Sequence, residues 1–200
     1  MSPTSFPVLD RAHAALVSVA AGIGPDQLAA PTPCSDWTVA QVLQHAAGDQ
    51  RAYAQAITGT EGPDGDPFAP SGELATSVEA LVGPAVAASA GAFATVDPDA
   101  TTPVPVPPGQ LAGSDAATAA ALDAGVHAWD LAVATGRPSP LDDDLAGPLL
   151  DLARQIVEPL RQWGAYAAVV PADPTVEPAE PVVDELLRYL GRDPRWAPPA

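Results

Sequence analysis

Two histidines and one aspartate, each within an apolar segment, have the types and spacing of metal ligands. His45 lies in the segment VLQHAA, and His127 lies in LDAGVHAW, four positions after Asp123. Residues four apart lie on one face of a helix, so Asp123 and His127 could bind one cation together. His45 could add a ligand from a second helix. Two imidazoles and one carboxylate leave coordination positions open, as catalytic metal sites do.

The spacing alone leaves a second interpretation open. An Asp-x-x-x-His pair is often a surface or capping pair, and a buried histidine is often a hydrogen-bonded core residue. The metal hypothesis requires His45 and His127 to converge inside the protein. Because metal–ligand bonds are near 2 Å, imidazoles more than about 8 Å apart would exclude a shared ion.

Apolar periodicity, glycines and prolines predict long helices that could carry these residues. The predicted helices are 8–21, 39–57, 73–95, 114–135, 142–163 and a short one at 182–190. Pro84, Pro148 and Pro159 predict kinks or interruptions within them. Residues 97–113 are proline-dense and predict an extended crossover, with an edge strand as the alternative. The pattern predicts an all-α four-helix bundle, one domain over residues 1–200, with a long crossover and a short C-terminal helix.

Composition excludes several classes of function. The formal net charge is −17 with only 8 Lys and Arg, which disfavours binding to nucleic acid or to an anionic membrane. A single cysteine excludes an internal disulfide. The N-terminus has no basic leader, and no apolar run reaches the roughly 18 residues of a membrane span. We therefore expect a cytoplasmic protein that is a monomer or a homodimer.

Three blocks of sequence carry a family resemblance. They are PTPCSDWTV (residues 31–39) followed by His45, VHAWDLAVATG (126–136), and LGRDPRW (190–196). In this order they resemble the mycothiol-dependent maleylpyruvate isomerase N-terminal family, a branch of the DinB-like superfamily. The resemblance implies a DinB-like bundle and places the family's metal triad on His45, Asp123 and His127. The isomerase has a glutamate where this chain has Asp123, whereas aspartate occurs in single-domain relatives.

The resemblance also implies a chemistry. The cofactor would be a divalent metal, with zinc favoured and nickel or another ion possible, and mycothiol would be the co-substrate. The partners would be this low-molecular-weight thiol and a small electrophile, joined by a transferase or rearranged by an isomerase. No side chain is assigned as catalytic, because a metal-bound water or thiol would react. The last thirty or so residues are a proline-rich connection and a short helix, too short for the isomerase's additional C-terminal domain, so maleylpyruvate is not the expected substrate.

Two other functions remain open at this point. The same metal could serve an enzyme that uses no thiol, including one recruited to a biosynthetic pathway. The protein could also be a non-catalytic metal-binding module of a stress response.

Several other residues have predicted roles. Trp37 and Trp129 are interpreted as core anchors and Cys34 as structural. His13 is predicted to lie on the surface of the first helix. For Asp130 we favour a solvent-facing or capping role, with orientation of a metal ligand as the alternative.

The polar residues that follow His45 are candidates for lining a pocket. Gln44, Gln50 and Tyr53 are predicted to reach toward the metal, whereas Arg51 could bind an anionic substrate or form a salt bridge within its helix. Arg51 and Arg137 lie about 9 and 15 Å along the helix axes from the histidines. We therefore expect a mostly apolar pocket and a neutral or weakly polar electrophile.

Overall fold

The computed structural model describes residues 4–34, 36–172 and 180–199. The helices in these ranges are α1 (Pro7–Ala20), α2 (Val39–Thr58), α3 (Val78–Phe93), α4 (Gly113–Ala134), α5 (Asp143–Gln162) and α6 (Val182–Tyr189), with a short 3-10 helix at Pro25–Gln27. Strands β1 (Thr101–Pro103) and β2 (Gln110–Ala112) form a two-stranded antiparallel hairpin within the crossover. The prediction of an all-α fold is confirmed, and the hairpin is the edge-strand alternative for part of the crossover.

Four helices close a ring around the core. Helix α1 packs against α3 and α4, and α2 packs against the same two helices. Helix α5 packs on the outside of α4, and α6 packs on α5. Helix α4 is buried around most of its circumference and is rich in alanine, and these small side chains let the neighbouring helices approach closely. The four-helix bundle is therefore α1–α4, with α5 and α6 added on one side.

Helix α2, which carries His45, begins at a capping box. The Thr38 side chain accepts a hydrogen bond from the Gln41 N–H, and the Gln41 side chain accepts one from the Thr38 N–H. These two bonds satisfy backbone donors that a helix start otherwise leaves free. The cap therefore sets the start of α2 and, with it, the position of His45 two turns later. Ser35, in the PTPCSDWTV block before this helix, lies outside the described residues.

The prolines inside α3 and α5 do not interrupt these helices. Pro84 lies within α3, and Pro148 and Pro159 lie within α5, yet both helices are continuous. All three prolines are solvent-exposed, so water can hydrate the carbonyls that lose a helical partner. The predicted interruptions are therefore wrong. Helix α3 also begins later than predicted, because the Ser77 side chain caps it by accepting a hydrogen bond from the Ala80 N–H.

The chain after α6 turns back into the protein at Gly191. This glycine has a φ of 82°, and a Cβ there would lie 2.7 Å from the Cβ of Ala167. Only glycine tolerates both the left-handed backbone and the close approach. The turn brings the next residue, Arg192, into the interior, where it is 8% exposed.

Within the described ranges, no helix combines the length and the apolarity needed to cross a membrane. The assignment of residues 1–200 to one domain remains a prediction.

Tight packing at the junction between β2 and α4 can be tested by substitution. This junction sets the start of α4, the helix that carries Asp123 and His127. A Cβ on Gly113 would lie 2.2 Å from the carbonyl oxygen of Asp97. We expect Gly113→Ala to lower the free energy of unfolding by about 1–3 kcal/mol, because the backbone must move. Gly147→Ala in α5 is the control: no atom lies within 4 Å of the added Cβ, so it should stabilise by about 0.5–1 kcal/mol. Urea unfolding of both variants measures the difference, and equal effects would contradict this account.

Candidate metal centre

His45 on α2 and Asp123 and His127 on α4 meet between the two helices. Oδ1 of Asp123 lies 3.4 Å from Nε2 of His45 and 3.4 Å from Nε2 of His127. The imidazole centroids are 4.7 Å apart and the rings are nearly perpendicular. One ligand atom from each residue lies within 4.8 Å of the other two. The structure thus brings together the three residues that the sequence singled out.

Each histidine of the cluster is held by a hydrogen bond on the side of its ring that faces away from the cluster. Nδ1 of His45 lies 2.8 Å from the carbonyl oxygen of Pro67. Nδ1 of His127 lies 2.9 Å from Oδ2 of Asp130. Both acceptors are oxygens without a proton to give, so each Nδ1–H donates and, in the neutral ring, Nε2 carries a lone pair. Outer hydrogen bonds of this kind orient metal-binding histidines.

Asp123 is held in the same way through Gln50. The Gln50 amide donates to Oδ2 of Asp123 at 3.2 Å and to the Ala120 carbonyl at 3.1 Å. The Gln50 oxygen therefore accepts a hydrogen bond from Nε2 of His13, at 2.8 Å. His13 is fully buried, so its predicted surface position is wrong. Its inward direction follows from Leu9 and Leu16, which lie one helical turn away on either side and are also buried.

The three inward-facing atoms fit a divalent metal. When both rings are neutral, the two imidazole nitrogens and the carboxylate oxygen that face inward all carry lone pairs, so the space between them accepts a proton or a metal ion. A tetrahedral ion with bonds of about 2.0–2.2 Å holds neighbouring ligand atoms about 3.4 Å apart, which is the separation found here for both nitrogen–oxygen pairs. The cluster therefore has both the donor set and the spacing of a site for such an ion.

Burial and neighbouring carboxylates have opposite effects on the pKa values of the two histidines. Burial disfavours the charged form of His45, but the adjacent Asp123 carboxylate and the charge of Asp49 outweigh it and raise the pKa of His45 to about 9. Burial lowers the pKa of His127 despite its Asp130 partner. Burial and the charge of Asp123 raise the pKa of Asp49 to about 7. The cluster thus attracts positive charge, and protons and a metal cation would compete for it.

A buried ion pair connects His127 to the C-terminal segment. Asp130 is fully buried, and the Arg192 guanidinium donates to both of its oxygens, from Nε at 3.0 Å and from Nη2 at 2.9 Å. Burial would raise the pKa of Asp130, but Arg192 and His127 lower it to about 2. The favoured solvent-facing or capping role for Asp130 is wrong, because Arg192 returns from 62 residues further along the chain to pair with it. The alternative role, orientation of His127, agrees with these contacts.

Aromatic rings cover His45. The Trp37 ring centroid lies 4.6 Å from that of His45, and the Phe68 centroid lies 5.6 Å from it. Trp37 is partly buried against the core, whereas Phe68 is 55% exposed in the loop after α2. The two rings shield one side of the candidate site, and His45 is 6% exposed to solvent.

The other residues with predicted roles make contacts outside the cluster. Trp129 is buried in the core, as predicted, and Tyr53 is buried with its ring 6.2 Å from that of Phe93. Gln44 binds the loop instead, donating to the Glu73 carbonyl at 2.8 Å. Arg51 forms no salt bridge within the described ranges and lines a surface groove of about 330 Å³ that excludes the three cluster residues.

Sequence reasoning assigned no role to Asp49 or Arg192. Asp49 had a local signal, because it follows His45 by four residues just as His127 follows Asp123. Arg192 had none beyond its place in the LGRDPRW block, since only the tertiary fold brings it to Asp130.

A helical bundle with a buried His–Asp–His cluster between two of its helices is the class of protein that this fold and this site define. The family described as mycothiol maleylpyruvate isomerase N-terminal domain matches residues 9–132, and the chain belongs to this family. The uncharacterized proteins MT0763 and Rv0738 of Mycobacterium tuberculosis, strains CDC 1551 / Oshkosh and ATCC 25618 / H37Rv respectively, are each 31% identical over 189 residues. The alignment covers 92% of this chain and 96% of each relative. No solved structure gives a significant match to the chain.

The Asp130–Arg192 pair predicts how the free energy of unfolding depends on Arg192 and on pH. We expect Arg192→Met to lower the free energy of unfolding by about 3–5 kcal/mol at pH 7, because it leaves a buried carboxylate unpaired. The folded-state pKa of Asp130 is about 2, below its ordinary value. The stabilisation that ionised Asp130 contributes to the folded state is therefore complete above about pH 4 and is lost as pH falls toward 2. Urea unfolding across this pH range measures both effects.

The double variant Asp130→Asn/Arg192→Met is the control for this prediction. It removes both charges and should recover part of the stability lost in the single variant. A single variant as stable as the wild type, with the same acid dependence, would show that the pair contributes nothing.

Cys34 generates a prediction about reactivity. Burial raises the pKa of its thiol to about 11, and the positive charge of Arg192 does not offset the burial. Because the thiolate is the reactive form, we expect iodoacetamide to alkylate the folded protein slowly at pH 7.5 and faster as pH rises. The urea-unfolded chain, with an ordinary thiol pKa, is the control, and mass spectrometry counts the adducts. Equal rates in both states at pH 7.5 would disprove the structural role of Cys34.

Proposed function

We propose that this protein is a divalent-metal-dependent enzyme that uses a low-molecular-weight thiol to transform a small electrophile. The observation that carries the proposal is the convergence of Nε2 of His45, Oδ1 of Asp123 and Nε2 of His127, each held from behind by another hydrogen bond. Membership of a family named for a mycothiol enzyme supports the thiol. Zinc is the favoured metal and mycothiol the favoured thiol.

The protein's own residues would bind and orient the reactants. His45, Asp123 and His127 would hold the ion, and Pro67, Gln50 and Asp130 fix the directions of these three side chains. A bound divalent metal would lower the pKa of a thiol or water at its open positions. Trp37 and Phe68 would limit the access of water from the His45 side.

The thiol would lose its proton, and its sulfur would form a bond to an electrophilic carbon of the substrate while a C=C π bond or an epoxide C–O bond breaks. The electron pair released would go to the neighbouring carbon or oxygen, which then takes up a proton. If the adduct persists, the outcome is a transferase reaction; if the thiol is eliminated after rearrangement, the outcome is isomerisation.

Thiol conjugation is tested with protein purified without a histidine tag. We expect zinc-loaded wild type to accelerate adduct formation between mycothiol and a neutral electrophile such as a maleimide or an epoxide, measured by mass spectrometry of the adduct. His127→Ala removes one donor and should reduce the rate at least tenfold, with helix content by circular dichroism unchanged. Hydrolysis of an ester or amide with no thiol adduct would favour the metal-dependent enzyme without a thiol. No turnover of either kind would favour the non-catalytic module.

Substrate charge is tested separately. The Arg192 guanidinium, which enters the region of the site, is bound to Asp130 and not free for a substrate carboxylate. With a net charge of −17, the protein should repel dianions at low salt. We expect neutral electrophiles to give a higher kcat/KM than matched dicarboxylates, with the difference shrinking as salt increases. Faster turnover of the dianion at low salt would reveal a basic pocket and contradict this expectation.

A further inference from the structure

Asp49 is a buried carboxylate that faces the cluster without a hydrogen-bond donor of its own. It is 8% exposed, and its Oδ2 lies 3.9 Å from Nε2 of His45. In the described ranges, its carboxylate accepts no hydrogen bond from the protein, and its ionic contact is His45. A buried carboxylate without a hydrogen bond is costly. Among the described residues, no side chain donates a hydrogen bond to Asp49 as Gln50 does to Asp123.

The two helices present matching pairs to the same space. Asp49 follows His45 by one turn on α2, and His127 follows Asp123 by one turn on α4. Nε2 of His45 faces both carboxylates, at 3.4 Å from Asp123 and 3.9 Å from Asp49. Each helix thus contributes one imidazole and one carboxylate.

The charges of this set balance a divalent ion. Two neutral imidazoles and two carboxylates carry a charge of about −2, which one divalent cation neutralises. No arginine or lysine in the described residues forms an ion pair with Asp49; its one ionic contact is His45. The Arg192 guanidinium, which enters the same region, is taken by Asp130.

We propose that Asp49 is a fourth protein ligand of the metal, giving a site of two histidines and two aspartates. Oδ2 of Asp49 lies about 0.5 Å further from Nε2 of His45 than Oδ1 of Asp123 does, and it lies outside the group of ligand atoms within 4.8 Å of one another, so it would have to move inward to reach the ion. Rotation of its short side chain provides this movement while its helix stays in place. With four protein ligands, the open position of the proposed function would be a fifth one, which zinc can take up when a thiol binds.

This inference rests on the metal site of the proposed function, and cobalt(II) tests the two separately. Cobalt is the probe because its visible absorption is strong in four-coordinate sites and weak in six-coordinate ones. The variants are Asp49→Asn, which keeps the shape but loses the charge, and Asp49→Cys, which replaces the carboxylate by a thiolate donor. Asp151→Asn, an exposed aspartate on α5, is the control. Metal affinity by competition with a chelator and melting without metal are measured for each.

We expect Asp49→Asn to bind cobalt and zinc at least tenfold more weakly than wild type and Asp151→Asn, with weaker visible absorption. Its metal-free melting temperature should not fall, because a buried charge next to Asp123 has been removed. Asp49→Cys should gain a near-ultraviolet thiolate-to-cobalt band that wild type, which already contains Cys34, lacks. Wild-type affinity in Asp49→Asn, or no new band in a cobalt-loaded Asp49→Cys, would overturn the fourth ligand while leaving the triad intact. Failure of wild type itself to bind cobalt or zinc would overturn the proposed function.

Discussion

Three potential metal-ligand atoms held toward one another are the constraint around which α2 and α4 are arranged. Nε2 of His45, Nε2 of His127 and Oδ1 of Asp123 face a common point. Hydrogen bonds on the far sides of these residues prevent the rings and the carboxylate from turning away. Because lone pairs and a carboxylate repel in a low-dielectric interior, such a cluster requires positive charge. In the metal-free protein a proton on His45, whose pKa is raised to about 9, supplies it. A divalent cation is the proposed source in the metal-loaded protein.

The outer hydrogen bonds come from elements that surround the cluster. Helix α1 supplies His13 behind Gln50, the loop after α2 supplies the Pro67 carbonyl, and the segment after α6 supplies Arg192 behind Asp130. The family match ends at residue 132, so Arg192 lies beyond it. The C-terminal segment therefore contributes to the geometry of His127 although it is remote in sequence.

The sequence predicted the parts of the site that local periodicity controls. Asp123 and His127 are one turn apart on an apolar helix, and His45 lies two turns after a helix start marked by Thr38, so their inward directions could be inferred. The spacing of His13 to Leu9 and Leu16 also indicates an inward direction, which the predicted surface position of His13 disregards. The helical pattern predicted the bundle, and the family resemblance strengthened the hypothesis that the three ligands bind one metal.

Contacts between distant segments could not be predicted in this way. The buried position of Asp130 depends on Arg192, and the turn that delivers Arg192 depends on the close approach of Gly191 to Ala167. The continuity of α3 and α5 depends on which side of each helix its prolines occupy. These features arise from tertiary packing, which neither helical spacing nor composition encodes.

X-ray absorption at the metal edge of the untagged protein, isolated without added metal and then titrated with zinc, tests the central claim most directly. The account predicts one zinc per chain, bound by two imidazole nitrogens with oxygen donors completing the coordination. A spectrum dominated by sulfur, a spectrum without imidazole scattering, or no bound zinc at stoichiometric addition would contradict it.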